Sequence, residues 1–72
     1  MERVYYIVSP HGDERWSVGV DGEAPVGFPN LQSATDAAAC AARDLWELYG
    51  LASGVRVLEV DGTAREAHAY GD

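Results

Sequence analysis

Lysine is absent from this 72-residue chain, and its only strongly basic residues are five arginines. Against them stand twelve aspartates and glutamates, for a formal net charge of -7. Nucleic acids and anionic lipid surfaces are ordinarily gripped by Lys and Arg, so a field of this sign argues against direct binding of either. Cysteine is almost as scarce. Cys40 stands alone, which excludes a disulfide within the chain, and with His11 and His68 as the only histidines there is no zinc-binding set. No apolar run approaches the ~20 residues that span a membrane, and no basic segment precedes an apolar one as in a secretion signal. There is no phosphate-binding glycine loop and no dinucleotide fingerprint. The expectation is a cytoplasmic chain with no membrane, metal or cofactor, and the lone thiol is compatible with a reducing compartment.

What remains is enough for one domain, residues 1–72, and no more. A chain this short buries only about 60% of the surface its unfolded form exposes, so its stability is marginal. Without disulfide or metal, supplementary stability has to come from self-association or from a target.

Val4-Tyr5-Tyr6-Ile7-Val8 is β-branched and aromatic and too short for a helix, which predicts a buried strand. Pro10 to Glu14 reads as a polar turn. Trp16-Ser17-Val18-Gly19-Val20 alternates large apolar with small residues and predicts a half-buried strand closing a hairpin. Asp21-Gly22 is a turn dipeptide. Ala24 to Phe28 follows as a short third strand or an extended loop, at a sheet edge because Pro25 has no N–H for a ladder.

Ser33 reads as a helix N-cap, with Asp36 three residues on completing a capping box and complementing the helix dipole. Ala34, Ala37, Ala38, Ala41, Leu45, Leu48 and Tyr49 share one stripe at helical spacing, and Gly50 is placed to end the helix. Alanines in the first turns predict a close approach to the sheet, with Leu45, Leu48 and Tyr49 filling a wider end. After a connector, Val55 to Val60 reads as a strand. Asp61-Gly62 then predicts a two-residue hairpin loop, with a return strand from about Ala64 to Tyr70. That register sets Val57 opposite Glu66 and Glu59 opposite Ala64, turning Glu66 inward and giving Glu66, His68 and Tyr70 one face. The fold expected is α+β: a single helix packed on a small antiparallel sheet, in the order β-β-(β)-α-β-β.

These pieces together resemble an uncharacterised family of small bacterial domains of unknown function. The residues that carry the likeness are Tyr5 and Tyr6, His11-Gly12-Asp13, Trp16-Ser17-Val18, the Ala-rich helix, Asp61-Gly62, Arg65-Glu66 and Tyr70-Gly71. The resemblance spans nearly the whole chain and implies the same fold plan; it supplies no activity and no catalytic residue. Family members typically carry several basic residues in the helix and last hairpin, whereas Arg43 is the only one in this helix. The connection from the helix to the next strand also looks longer here.

Catalytic chemistry finds little to work with. Glu66 and His68 offer a carboxylate–imidazole pair for proton transfer, but no nucleophile is placed beside them, and Cys40 falls on the helix flank. The plainer reading has Glu66 accepting a hydrogen bond from Tyr5, Tyr6 or Trp16. His11, Asp13 and Glu14 offer at most three metal ligands from one loop, and a turn in which Asp13 bonds its own backbone accounts for them. Trp46 lies about 120° from the core stripe, either as an interface anchor or as core covered by Phe28 or the final connector. Other acids gather at four places: Asp36, Asp44 and Glu47 on the outer helix side with Arg43 among them, Asp13 and Glu14 at one hairpin end, Asp21 and Glu23 at the other, and Glu59 and Asp61 in the last hairpin.

The expected function is a non-enzymatic, acidic protein-binding module whose partner presents a basic surface. In its sharpest form it is a phage or mobile-element inhibitor that mimics nucleic acid and occupies the basic channel of a nucleic-acid-handling complex. Anti-CRISPR proteins are similar in being small, often acidic and free of catalytic motifs, though no motif here identifies one. The alternative is a housekeeping homodimer using Trp46 and an exposed sheet edge. A third possibility is a small-ligand domain built on Tyr5, Tyr6, Trp16 and Tyr70. Against all three stands the reading that the acids only keep the chain in solution.

Overall fold

The computed structural model describes residues 3–12, 15–20 and 22–71. Its elements are β1 (Val4–Pro10), β2 (Trp16–Val20), β3 (Val26–Phe28), α1 (Leu31–Tyr49), β4 (Ser53–Leu58) and β5 (Ala64–Tyr70). One helix lies against a five-stranded sheet whose spatial order is β3-β2-β1-β4-β5. The α+β class with a single helix is as expected, and β3 takes the edge position that Pro25 requires.

The sheet is mixed, which corrects the expected antiparallel arrangement. β1 pairs antiparallel with β2 but parallel with β4, with Tyr6 beside Val55 and Val8 beside Val57. The cause is the helix. It carries the chain from the β3 edge back over the sheet, so β4 enters on the far side of β1 running in the same direction. Hairpin turns advertise antiparallel neighbours locally; a crossover of this kind leaves no local mark.

The core is narrow. Val8, Val55 and Val57 from the two central strands meet Ala34, Ala38 and Ala42, and all six are fully buried. Four-residue spacing puts these alanines in one row along the helix, and their small side chains let the helix backbone sit low over the valines. Ser53, also fully buried, donates its hydroxyl hydrogen bond to the carbonyl of Ala42 and so ties β4 to the helix directly. Tyr6, Trp16, Val18, Phe28, Leu31 and Tyr70 pack around this centre.

The helix starts earlier than its composition suggests. Asn30, not Ser33, is the N-cap: its backbone is extended, at φ -154° and ψ 169°, and its Oδ1 accepts a 2.7 Å bond from the Ser33 amide. Asn is as good a cap as Ser, and the earlier start lets Leu31 join the core. Asp36 is thereby moved into the second turn, away from the dipole position expected for it. At the other end Gly50 adopts the left-handed conformation (φ 68°), with Gly50 N donating to Trp46 O and Leu51 N to Leu45 O. This is the paired closure that a glycine stop permits.

Leu48 and Tyr49 do not fill the core, as their spacing predicted. Both are 70% exposed. Nineteen helical residues extend ~28 Å, whereas the seven-residue strands extend ~23 Å. The last turn therefore overhangs the sheet, and correct angular placement brings no burial.

The final hairpin also differs. Gly62 N donates to Glu59 O and Glu59 N to Thr63 O, so the loop is Val60-Asp61-Gly62, with Gly62 at φ 93°. A turn followed by a left-handed glycine is the three-residue alternative to the two-residue Asp-Gly loop. Thr63 N and Oγ1 both donate to Asp61, and these bonds hold the Asp61 carboxyl below the usual carboxylate range. β4 begins at Ser53 and ends at Leu58, leaving Glu59 and Val60 to the turn. The register sets Val57 opposite Arg65 and Arg56 opposite Glu66, and a bulge then sets Val55 opposite His68, skipping Ala67.

Arg3 joins the two ends of this hairpin pair. Its guanidinium donates to the carbonyls of Ser53 (2.8 Å), Tyr70 (2.9 Å) and Gly71 (3.0 Å). The fork reaches these carbonyls from two separate nitrogens, whereas an ammonium would have to meet all three from one. Arg3→Ala is expected to lower stability by about 2 kcal/mol, read as a drop in the urea midpoint, with Arg3→Lys recovering less than half of it.

Candidate functional site

The sheet has two faces of different character. One lies under the helix. The other, bearing Tyr5, Arg56 and Glu66, has no second layer among the described residues. Tyr5 lies down across Gly54, its hydroxyl donating to Glu66 Oε1 at 3.0 Å, and the Arg56 guanidinium carbon stacks 3.8 Å from its ring centroid. The Tyr5–Glu66 bond is one of those expected, but it lies on the open face and not in the core.

This placement separates Glu66 from His68. Two residues apart in a regular strand they would share a face. The bulge at Ala67 inserts one residue, so Glu66 sits opposite Arg56 on the open face while His68 sits opposite Val55 on the helix side. His68 stacks on Tyr70, with ring centroids 6.2 Å apart and planes 17° from parallel. The expected carboxylate–imidazole pair is not assembled. Nor is the aromatic group of a ligand domain: Tyr5 is on the open face, while Tyr6, Trp16 and Tyr70 pack at the core. Cys40 is exposed on the helix. Among the described residues, no three of His, Cys, Asp and Glu gather as metal ligands, and no helix is long and apolar enough to cross a membrane.

Of the residues expected to meet a partner, Asp13, Glu14 and Asp21 lie outside the described residues. Asp36, Asp44, Glu47 and Glu23 are all exposed. At about 100° per residue, Asp36 and Glu47 point directly away from the core row, whereas Asp44 turns toward the β2–β3 side. Trp46 turns toward β5, where its ring lies against Gly71 and leaves a Cβ there only 2.5 Å of space. Gly71, just after β5, is thus a neighbour beyond the two that were expected to cover it. With 41% of its surface exposed, Trp46 is partly packed and partly free. The tryptophan and the Glu23–Asp44 pair therefore occupy opposite flanks of the helix.

On the β2–β3 flank is a feature the sequence reading missed. Ala37 and Ala41 are too small to reach the sheet, and a groove of about 190 Å³ remains between them and Val18, Val20 and Val26. Tyr6 and Glu23 line it as well. Burial holds the Tyr6 hydroxyl above its usual pKa, and the charges of Glu23 and Asp44 push it further in the same direction. A carboxylate from the β2–β3 connection and another from the helix thus both disfavour the charged form of one phenol. The visible signal was two alanines four residues apart beside the main alanine row.

Most of the chain's cations are occupied internally. Arg3 holds main-chain carbonyls, Arg56 lies on Tyr5, Arg65 contacts Glu59 at 3.4 Å and Arg43 contacts Glu47 at 3.9 Å. Among the described residues, Glu47 and Glu59 are the acids that pair with arginine.

This chain matches no protein family, no curated protein and no solved structure, and the likeness to small bacterial domains rests on the short motifs that carry it.

Proposed function

We propose that this chain is a non-enzymatic binding module whose acidic helix side engages a basic surface on another protein. The observation that carries the reading is the distribution of charge: four of the five arginines make contacts within the chain, while Asp36, Asp44 and Glu23 stand exposed and form no ion pair among the described residues. Separation of Glu66 from His68 supports a role without catalysis. The sharper form of the proposal is a mimic of nucleic acid, blocking a phosphate-binding surface as a phage or mobile-element inhibitor does.

The test is retention of a basic nucleic-acid-binding partner on the immobilised chain. Retention is expected to fall at least tenfold in the E23Q/D36N/D44N/E47Q variant and on raising salt from about 0.05 to 0.5 M, since exposed charges are screened. Duplex DNA is expected to compete. Retention that survives both salt and the four neutralisations rejects the proposal.

One observation favours the alternative homodimer. The overhanging helix end exposes Leu48, Tyr49 and Leu51, and exposed apolar surface of this kind can mark an interaction site. A salt-insensitive mass of twice the monomer at micromolar concentration supports that reading. The bulge in β5 counts against self-pairing along that edge.

A further inference from the structure

We propose that the groove between α1 and the β2–β3 hairpin is a receptor for one arginine side chain of the basic partner, a claim that rests on the binding role proposed above. Size is the first argument. At about 190 Å³ the groove falls below the ~300–1,000 Å³ usual for cofactor and small-molecule pockets. It is of the size of a single large side chain.

Chemistry is the second. Val18, Val20 and Val26 form one wall and Ala37 and Ala41 the other, an apolar channel suited to a three-carbon stem. Glu23 and Tyr6 line it as well, and helical spacing turns Asp44 toward the same flank. Long cationic side chains lay their methylenes along apolar surface and keep the charged head at a polar edge. A guanidinium presents five donors in a planar fork, and the two carboxylates and the phenol oxygen are acceptors. No arginine of the chain lines the groove.

Charge complementarity selects this occupant over the others that fit by volume. An aliphatic side chain would fill the walls but leave Glu23 and Asp44 unanswered. A carboxylate or phosphate would face two like charges in a chain of net charge -7. The field of these two acids, felt at Tyr6 in the groove wall, supports the same choice.

The probe is n-butylguanidinium, followed by methyl chemical shifts of Val18, Val20, Ala37 and Ala41, with n-butanol and guanidinium as controls. Saturable shifts at millimolar concentration are expected with butylguanidinium, at least fivefold weaker with either control. E23Q/D44N should weaken the probe at least fivefold, and Ala41→Leu or Ala37→Leu, which fill the channel, should abolish its effect. Thermal melts confirm that each variant is folded; E23Q/D44N alters only exposed groups and keeps the test decisive if a leucine variant does not fold. Absence of shifts, equal response to butanol, or indifference to E23Q/D44N overturns the proposal. The two proposals fail differently. Partner retention that survives Ala41→Leu but not neutralisation of the outer acids rejects the groove and keeps the acidic surface. Retention unmoved by salt, with butylguanidinium bound as expected, rejects the surface and keeps the cation site.

Discussion

Replacing Gly54 by alanine is expected to destabilise the domain by about 3 kcal/mol, at the upper end of ordinary overpacking costs. A Cβ at this position would lie 2.9 Å from the His68 carbonyl oxygen and 2.9 Å from Cε1 of Tyr5. Neither neighbour can give way cheaply. The carbonyl belongs to the β5 backbone, and the Tyr5 ring is pinned by its bond to Glu66 and by Arg56 stacked upon it. Gly54 itself is held between β1 and β5 by pairing on both sides. Small domains have a total stability of roughly 0.05–0.15 kcal/mol per residue, so a loss of this size leaves a measurable unfolded population. The measurement is the urea midpoint, with Gly27→Ala as control: a Cβ there meets nothing within 4 Å, and a change within about 0.5 kcal/mol is expected. Equal effects at the two glycines would show that the close approach of Tyr5 does not matter.

Ala38→Leu should be at least as damaging, again about 3 kcal/mol. Ala38 is the middle of the fully buried alanine row, set over Val8, Val55 and Val57. Three added heavy atoms find no cavity there, and they can be accommodated only by lifting the helix from the sheet. Lifting would also break the Ser53–Ala42 bond, leaving a buried hydroxyl without its acceptor. The expected observation is loss of the cooperative thermal transition with helical circular dichroism partly kept. Ala38→Gly, which removes volume, should cost only the ~1 kcal/mol of helix propensity plus a small cavity. A leucine tolerated without change in the melt would mean that the helix is not in close contact at this point.

Local signals in the sequence were dependable where the local chain decides the outcome. The two strands of the first hairpin, the glycine stop at Gly50 and the edge position forced by Pro25 all follow from backbone chemistry within a few residues. Distant partners erased the rest. Nothing near Val4 or Ser53 announces that they pair in parallel. Nothing in Ala64–Tyr70 marks Ala67 as the extra residue, and that single insertion turns His68 away from Glu66. Asn30 takes the cap in place of Ser33, and the earlier start packs Leu31 against the core, a tertiary gain invisible to a capping rule. Leu48 and Tyr49 were given the right angle but not the right depth, since helical spacing says nothing about where the sheet ends. For the groove, composition showed the alanines but not the strand wall facing them.

The central position of β1 has a consequence for how the chain can be made. β1 pairs through Tyr6–Pro10 with β2 and through Val4–Val8 with β4, yet its β4 partner is synthesised only after the helix has been completed. Until then the Val-Tyr-Tyr-Ile-Val run is paired with β2 only from Tyr6 onward, its β4 side is bare, and its apolar face lacks the β4 valines. Such an interval exposes an open strand template at the most aggregation-prone part of the sequence. Interrupting translation after the helix should therefore yield a sticky fragment, not a smaller folded unit.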